Sequence, residues 1–524
     1  MQILHNIKCY QLANNIKMKI LGFKINTFSL VLLLIFAVLA VFVSQLRLYL
    51  DDAYFISPAI KGDFISHFQT YIYHYGLFRP FTLLYYYFIF KLFTFTPILA
   101  HLIPLVIYFL TGYLIFRIFL LQNIRRGLAV SGAILILSLP FAVEAYGWLS
   151  ANSALLVIFL LFLQIYLLEK YNFNKKIIFY LVCLQLFSVF IYESTFFTPF
   201  VLFAYLLLKS KSNSIKIKLK SLIYIISTFL PILVYIGMWS LFPAKIETRI
   251  KTIDLNTIYL HWHNLFSSIN ILISPEGFQS FWRKELFHGL VLVLELPLIL
   301  FCVIIAGFFL YKNYIHKEER IPSGKSVLFF WLALFICSLI PLSWQNNYLP
   351  FRLLFLPVTL LLILTVHIIN KYLNHLYIIF IITLMSGLSL VFFLIQIGIV
   401  DNYRLQYLYD LKIVEAISKD TPDWNRIKKE NVSVYIKNLP YNNINAFTYG
   451  DYLFGIFNNF WSGEYFYYIS TGVWKHLAIR LQAENIYRSR YTEKEILEKG
   501  PWVFTYTDNL RCLKNDCFRV VKPL

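Results

Sequence analysis

Apolar runs about 20 residues long, enough to cross a bilayer, recur between residues 25 and 400, and this repetition decides what the chain can become. Of 524 residues, 59% are hydrophobic and 14% charged, with a mean hydropathy of +0.65. Charge is too sparse for a soluble protein of this size. The expected fold is an all-α polytopic membrane protein with about 11–12 transmembrane helices. The 51 Phe and 38 Tyr residues are expected between helices or in interfacial belts.

The net charge of +20 fits this class without invoking nucleic acid, because Lys and Arg gather in cytoplasmic loops. No stretch reads as a nucleic-acid module. Lys8, Lys17, Lys19 and Lys24 precede the first apolar run, residues 25–46, so residues 1–24 are expected in the cytoplasm. The long run without a small-residue cleavage site reads as an uncleaved signal anchor. Residues 209–220, KSKSNSIKIKLK, hold five lysines and no acids and are also placed in the cytoplasm. Arg125 and Arg126 argue for the same side. Before them lie a short apolar run, 81–93, and a longer one, 98–121. Either one of these is half-inserted, or both cross and the arginines break the charge rule.

Chemistry-bearing residues sit in the polar breaks. The first loop, 47–80, carries Asp51, Asp52, Asp63, His67, His74 and Arg79 and is expected outside the cytoplasm. Adjacent carboxylates at a membrane surface are costly unless they bind something or stay in water. Such a loop supplies either a general base with a phosphate or metal site, or a solvated loop with helix-capping aspartates. Residues 129–170 read as a helical hairpin turning near 144–152, with Glu144 at the turn. Glu193 interrupts another apolar run in IYESTFFTP. A charged residue at a helix centre costs about 2.5–3.5 kcal/mol on insertion scales, so two short helices are expected to meet there. A second external loop, 244–288, has the composition of a lid or substrate-binding loop.

Composition changes at residue 401. YLYDLKIVEAISK reads as helix, and NVSVYIKNL and WVFTYTD as strands, so 401–524 is expected to form a small extracytoplasmic α/β domain. Cys512 and Cys517 are close enough for a disulfide in an oxidising compartment. The remaining cysteines are isolated, mostly in apolar runs, and read as packing residues.

Four stretches taken together resemble the GT-C superfamily of integral membrane glycosyltransferases. They are LDDAYF after the first helix, HYGLFRPFTLLYYYFIFKLF, LPFAVEAYGWLSANSALLVIFLLF and IYESTFFTPF. The first is similar to the family's acid pair, the second to its aromatic–Arg–Pro helix entry. The third is similar to a Pro–Val–Glu–Ala hairpin with a following Trp, the fourth to a Ser–Lys–Glu break ending in Pro. NNYLPFRLLFLP is similar to a later Arg–Tyr–x–Pro segment. The likeness covers roughly residues 25–369, and within the superfamily it is nearest to polyprenyl-phosphate-sugar-dependent bacterial surface-glycan transferases and to the membrane region of O-mannosyltransferase-type enzymes. Tyr192 stands where the family has a lysine, and no tetratricopeptide array follows.

The resemblance implies a GT-C-like transmembrane domain over 25–400 in the bacterial cytoplasmic (inner) membrane, with its active site outside the cytoplasm. It implies transfer of a sugar from a polyprenyl-phosphate donor to an extracytoplasmic glycan, lipid or protein acceptor by inverting displacement. Asp51 or Asp52 is then the base. Arg79, Arg352, Glu144, Glu193, Asp63 and His67 are the candidate donor-phosphate or substrate-binding residues. A divalent ion, Mg or Mn, would be held by Asp51 and Asp52; some members use a metal and others do not. Two other readings stay open. A surface-polysaccharide polymerase or ligase would lean on His261, His263 and Arg283 of the later loop. A lipid-linked sugar transporter or flippase would account for Glu193.

Overall fold

The structure, a computed structural model, describes residues 18–20, 23–25, 27–48, 52, 55–56, 64–66, 68–69, 79–171, 175–209, 215–241, 255–256, 259, 262–263, 266, 283–295, 325–339, 351–420, 433–439, 476–481, 487–488, 493–498, 502–506 and 518–521. Helices dominate them: α1 (Thr27–Val43), α2 (Pro80–Phe95), α3 (Pro97–Leu121), α4 (Arg126–Leu137), α5 (Ala142–Gly147), α6 (Asn152–Lys170) and α7 (Lys175–Ile191). There follow α8 (Thr198–Lys209), α9 (Ile215–Leu241), α10 (Arg283–Glu295), α11 (Lys325–Leu339), α12 (Phe351–Tyr372) and α13 (His375–Asp420).

Local sequence sets several boundaries. Proline opens both α2 and α3, where its missing N–H costs nothing. Asn123, at φ 62°, takes the left-handed conformation that ends α3, and the Ile124 N–H closes back on the Phe119 carbonyl at 2.9 Å. The break at Glu193 separates α7 from α8 through a 3-10 turn, Glu193–Thr195. The stretch 244–288, expected to be a loop, ends in helix, because α10 begins at Arg283.

Four helical stretches are long and apolar enough to cross a membrane: Pro97–Leu121, Leu149–Lys170, Arg352–Tyr372 and Tyr377–Glu415. Shorter apolar helices accompany them, and parts of the expected crossings near 289–310 and 326–342 lie outside the described residues. The architecture is that of an all-α membrane protein.

One end of the bundle is marked by a buried polar network. Gln122 donates to Glu169 at 2.8 Å and accepts from Trp331 at 2.9 Å, and His367 lies 2.8 Å from the same amide oxygen. Tyr205 also donates to Glu169. Five helices are thereby pinned in register, each polar group supplying another's partner where water is scarce. Nearby, Asn370 accepts the Arg125 N–H at 3.1 Å. This is the end that Arg125, Lys170 and Lys175 share.

The chain path from this end fixes where α2 lies in the bundle. Helix α3 finishes here and, at 25 residues, spans to the opposite end, where it begins. Helix α2 starts beside the far end of α7, since Thr82 donates to the Ile191 carbonyl and the Arg79 guanidinium lies 4.1 Å from the Tyr192 ring. It finishes at the start of α3. Both ends of α2 therefore belong to the end of the bundle opposite Arg125, and α2 does not run the length of the bundle.

Helix α13 runs unbroken for 46 residues, about 69 Å, across the composition change at residue 400. It crosses α10 closely. A Cβ on Gly289 would meet the Leu394 carbonyl, and one on Gly398 would meet the Glu285 carbonyl. Small residues let the two backbones approach, as membrane helix pairs require. Further along the chain, β1 (Ser433–Leu439) lies between two parallel neighbours, β2 (His476–Leu481) and β4 (Trp502–Tyr506), with β3 (Tyr487–Arg488) and β5 (Phe518–Val521) antiparallel at the edges.

Candidate functional site

The hairpin between α4 and α6 forms the floor of the site. Ala142–Gly147 is wholly buried, a 3-10 turn at Leu149–Ala151 reverses the chain, and α6 starts at Asn152. With its amide nitrogen facing the available acceptors, Asn152 donates to the Ala145 and Trp148 carbonyls at 2.7 and 2.8 Å. The turn is thus held by its own chain before any other element reaches it.

Asp52 reaches this turn from the first polar loop. Its side chain is fully buried, and Oδ1 accepts the Ser150 backbone N–H at 2.8 Å. The Ser150 carbonyl on the other side accepts from the Tyr86 hydroxyl, which also lies 2.9 Å from Ser153 Oγ. Phe55, three residues after Asp52, packs on Tyr86 with ring centroids 5.1 Å apart. The loop, α2 and the hairpin therefore converge on one residue, Ser150, through its N–H and its carbonyl. A buried carboxylate costs several kcal/mol unless such donors meet it.

Glu144 makes the second charged contact. Its Oε2 accepts the Arg352 backbone N–H at 3.1 Å and lies 3.5 Å from the Arg352 guanidinium. That guanidinium also sits 4.9 Å from the Trp148 ring centroid. Proline at 350 precedes the start of α12, so the first turn of α12 offers its N–H to the carboxylate, as helix starts favour. Arg79 is buried and packs over Tyr192. The Tyr192 ring therefore receives the arginine by a cation–π contact.

Asp52, Arg79, Glu144 and Arg352 thus all lie at the end of the bundle opposite Arg125, linked through Ser150, Tyr86 and Trp148. Asp51, Asp63, His67, His74 and His261 lie outside the described residues. Glu193 has its backbone in the 3-10 turn, and its side chain lies outside what the structure describes. Arg283 lies 5.8 Å from the Phe287 ring, and His263 stacks with Tyr259 at 6.2 Å. Tyr86, Trp148 and Ser150 escaped the sequence reading as site residues. Nothing distinguishes one tyrosine in TLLYYYFIF until the fold shows which one faces the hairpin.

Among the described residues no three His, Cys, Asp or Glu side chains converge. A divalent cation such as Mg or Mn needs about six oxygen ligands. At this corner Asp52 alone is described, with one oxygen already given to Ser150. These side chains do not make up a cation site, and no step is routed through a metal. No protein-family model matches the chain, and no curated protein matches its sequence.

Proposed function

We propose that this protein is a membrane glycosyltransferase of the GT-C type, moving a sugar from a polyprenyl-phosphate donor to an extracytoplasmic glycan, lipid or protein acceptor. The observation that carries this reading is the buried Asp52 carboxylate, brought from the loop after α1 onto the α4–α6 hairpin beside Glu144 and Arg352. In this proposal the site faces away from the cytoplasm of a bacterial inner membrane, because Arg125, Lys170 and the lysines of 209–220 mark the other side. Residues beyond α13 then form a small extracytoplasmic α/β domain.

The reaction is a single displacement. Asp52 takes the proton of the acceptor hydroxyl, whose oxygen bonds to the anomeric carbon as the bond from that carbon to the phosphate oxygen breaks. The electron pair leaves with the polyprenyl phosphate, and Arg79 or Arg352 offsets its charge. Glu144 holds Arg352 and orients it. Asp52 is sealed from solvent in this conformation, so acceptor entry requires the first loop to shift from the hairpin.

The test is incubation of purified protein with radiolabelled polyprenyl-phosphate sugar. Release of the carrier phosphate, lost in Asp52→Asn, supports the enzyme. Movement of intact donor across a vesicle membrane without release would replace it with a transporter.

A further inference from the structure

A second charged cluster lies apart from the hairpin, where α10 meets α13. Asp401 directly follows the apolar stretch of α13, and the membrane placement of the proposed function puts it at the depth of lipid headgroups. Its residue exposure is only 3%. Oδ2 lies 2.7 Å from His288 Nε2, and Oδ1 accepts from Arg404 Nε at 2.6 Å. The carboxylate thus orients two nitrogen bases from two helices while neutralising one charge.

The outer faces of both partners remain open. Their side chains are 34% and 31% exposed, and among the described residues neither the terminal nitrogens of Arg404 nor His288 Nδ1 has a further partner. Lys284 lies one turn before His288 on the same face of α10 and adds positive charge, whereas Glu285 is buried in the helix crossing. A guanidinium held by its Nε presents its two terminal nitrogens as a fork, the geometry that suits phosphate oxygens.

We infer that His288 and Arg404, held by Asp401, form a second anion site that takes the phosphate of a lipid headgroup at the membrane surface. The site is independent of Asp52, and its failure would leave the glycosyl-transfer reading untouched.

Full-length protein in phosphatidylcholine nanodiscs with a small fraction of phosphatidic acid tests it. Lipids retained after detergent extraction are weighed by mass spectrometry, with and without inorganic phosphate. The wild type should enrich phosphatidic acid about tenfold, and Arg404→Gln and His288→Gln should each bring it toward parity. Both side chains are partly exposed, and a size-exclusion profile confirms that each variant is folded. Displacement by inorganic phosphate assigns recognition to the phosphate group alone; retention in its presence assigns the membrane-borne headgroup. No enrichment in wild type, or undiminished enrichment in both folded variants, overturns the site.

Discussion

The Asp52 carboxylate accepts the backbone N–H of Ser150 at 2.8 Å, across 98 residues of chain. This one bond joins the loop after α1 to the hairpin before α6. It is charge-assisted and buried, the kind worth about 1.5–3 kcal/mol. An Asn at position 52 can still accept it but cannot take a proton. Asp52→Asn should therefore insert normally and lose transfer by about 10²–10⁴-fold, the usual contribution of a general base. Turnover within a few-fold of wild type, at matched expression, would remove Asp52 from the mechanism.

Tyr86 holds the same residue, Ser150, through its carbonyl. Tyr86→Phe removes a hydrogen bond to a buried carbonyl and should cost about 1–3 kcal/mol in stability. Because both residues act on Ser150, Tyr86→Phe and Asp52→Asn should be non-additive by at least about 0.5 kcal/mol in a double-mutant cycle. Strict additivity in denaturant unfolding would show that the two contacts are independent.

Glu144 is buried, whereas Arg352 is partly exposed. Arg352→Gln removes the guanidinium from the buried carboxylate and should destabilise by about 3–5 kcal/mol, as loss of one partner of a buried pair does. The exchanged pair, Glu144→Arg with Arg352→Glu, should not rescue it. The Arg352 backbone N–H and the Trp148 ring would then face the wrong charges. Recovery of the wild-type unfolding midpoint in the exchanged protein would contradict this account.

The α10–α13 crossing tolerates no side chain at its two glycines. Gly398→Val should separate the helices, because the new Cβ would run into the Glu285 backbone. The expected outcome is a marked drop in thermal midpoint, with a smaller drop for an exposed control such as Leu408→Ala. Equal effects would mean that the close approach is not what holds the pair.

The proposed orientation puts the Asp52 end of the bundle outside the cytoplasm. In a background without other cysteines, Asp63→Cys and Leu408→Cys should react with an impermeant thiol reagent from outside intact cells, and Tyr171→Cys only after permeabilisation. Labelling of Asp63→Cys and Tyr171→Cys from the same side would invert the topology.

Much of this was legible in the residues themselves. The apolar runs mark the helices, the Pro80 and Pro97 starts are local, and the hairpin around Glu144 and the break at Glu193 announce themselves as polar interruptions of apolar sequence. The placement of α2 was not, because its 16 residues are as apolar as a short crossing. Only its contacts with Tyr192 and Ser150 decide which side each end occupies. Helix α13 shows the converse: composition changes at residue 400, but the backbone hydrogen bonds continue to Asp420.

The sequence by itself determined a helical membrane protein, because apolar length and charge position follow from transfer energies summed along the chain. It also singled out Asp52, Arg79, Glu144 and Arg352 as residues too polar for their surroundings. Which of them meet, and through which neutral side chains, was decided by tertiary structure. Directional contacts such as Asp52 to Ser150 and Glu144 to Arg352 join residues remote in the chain, and no local preference encodes their pairing.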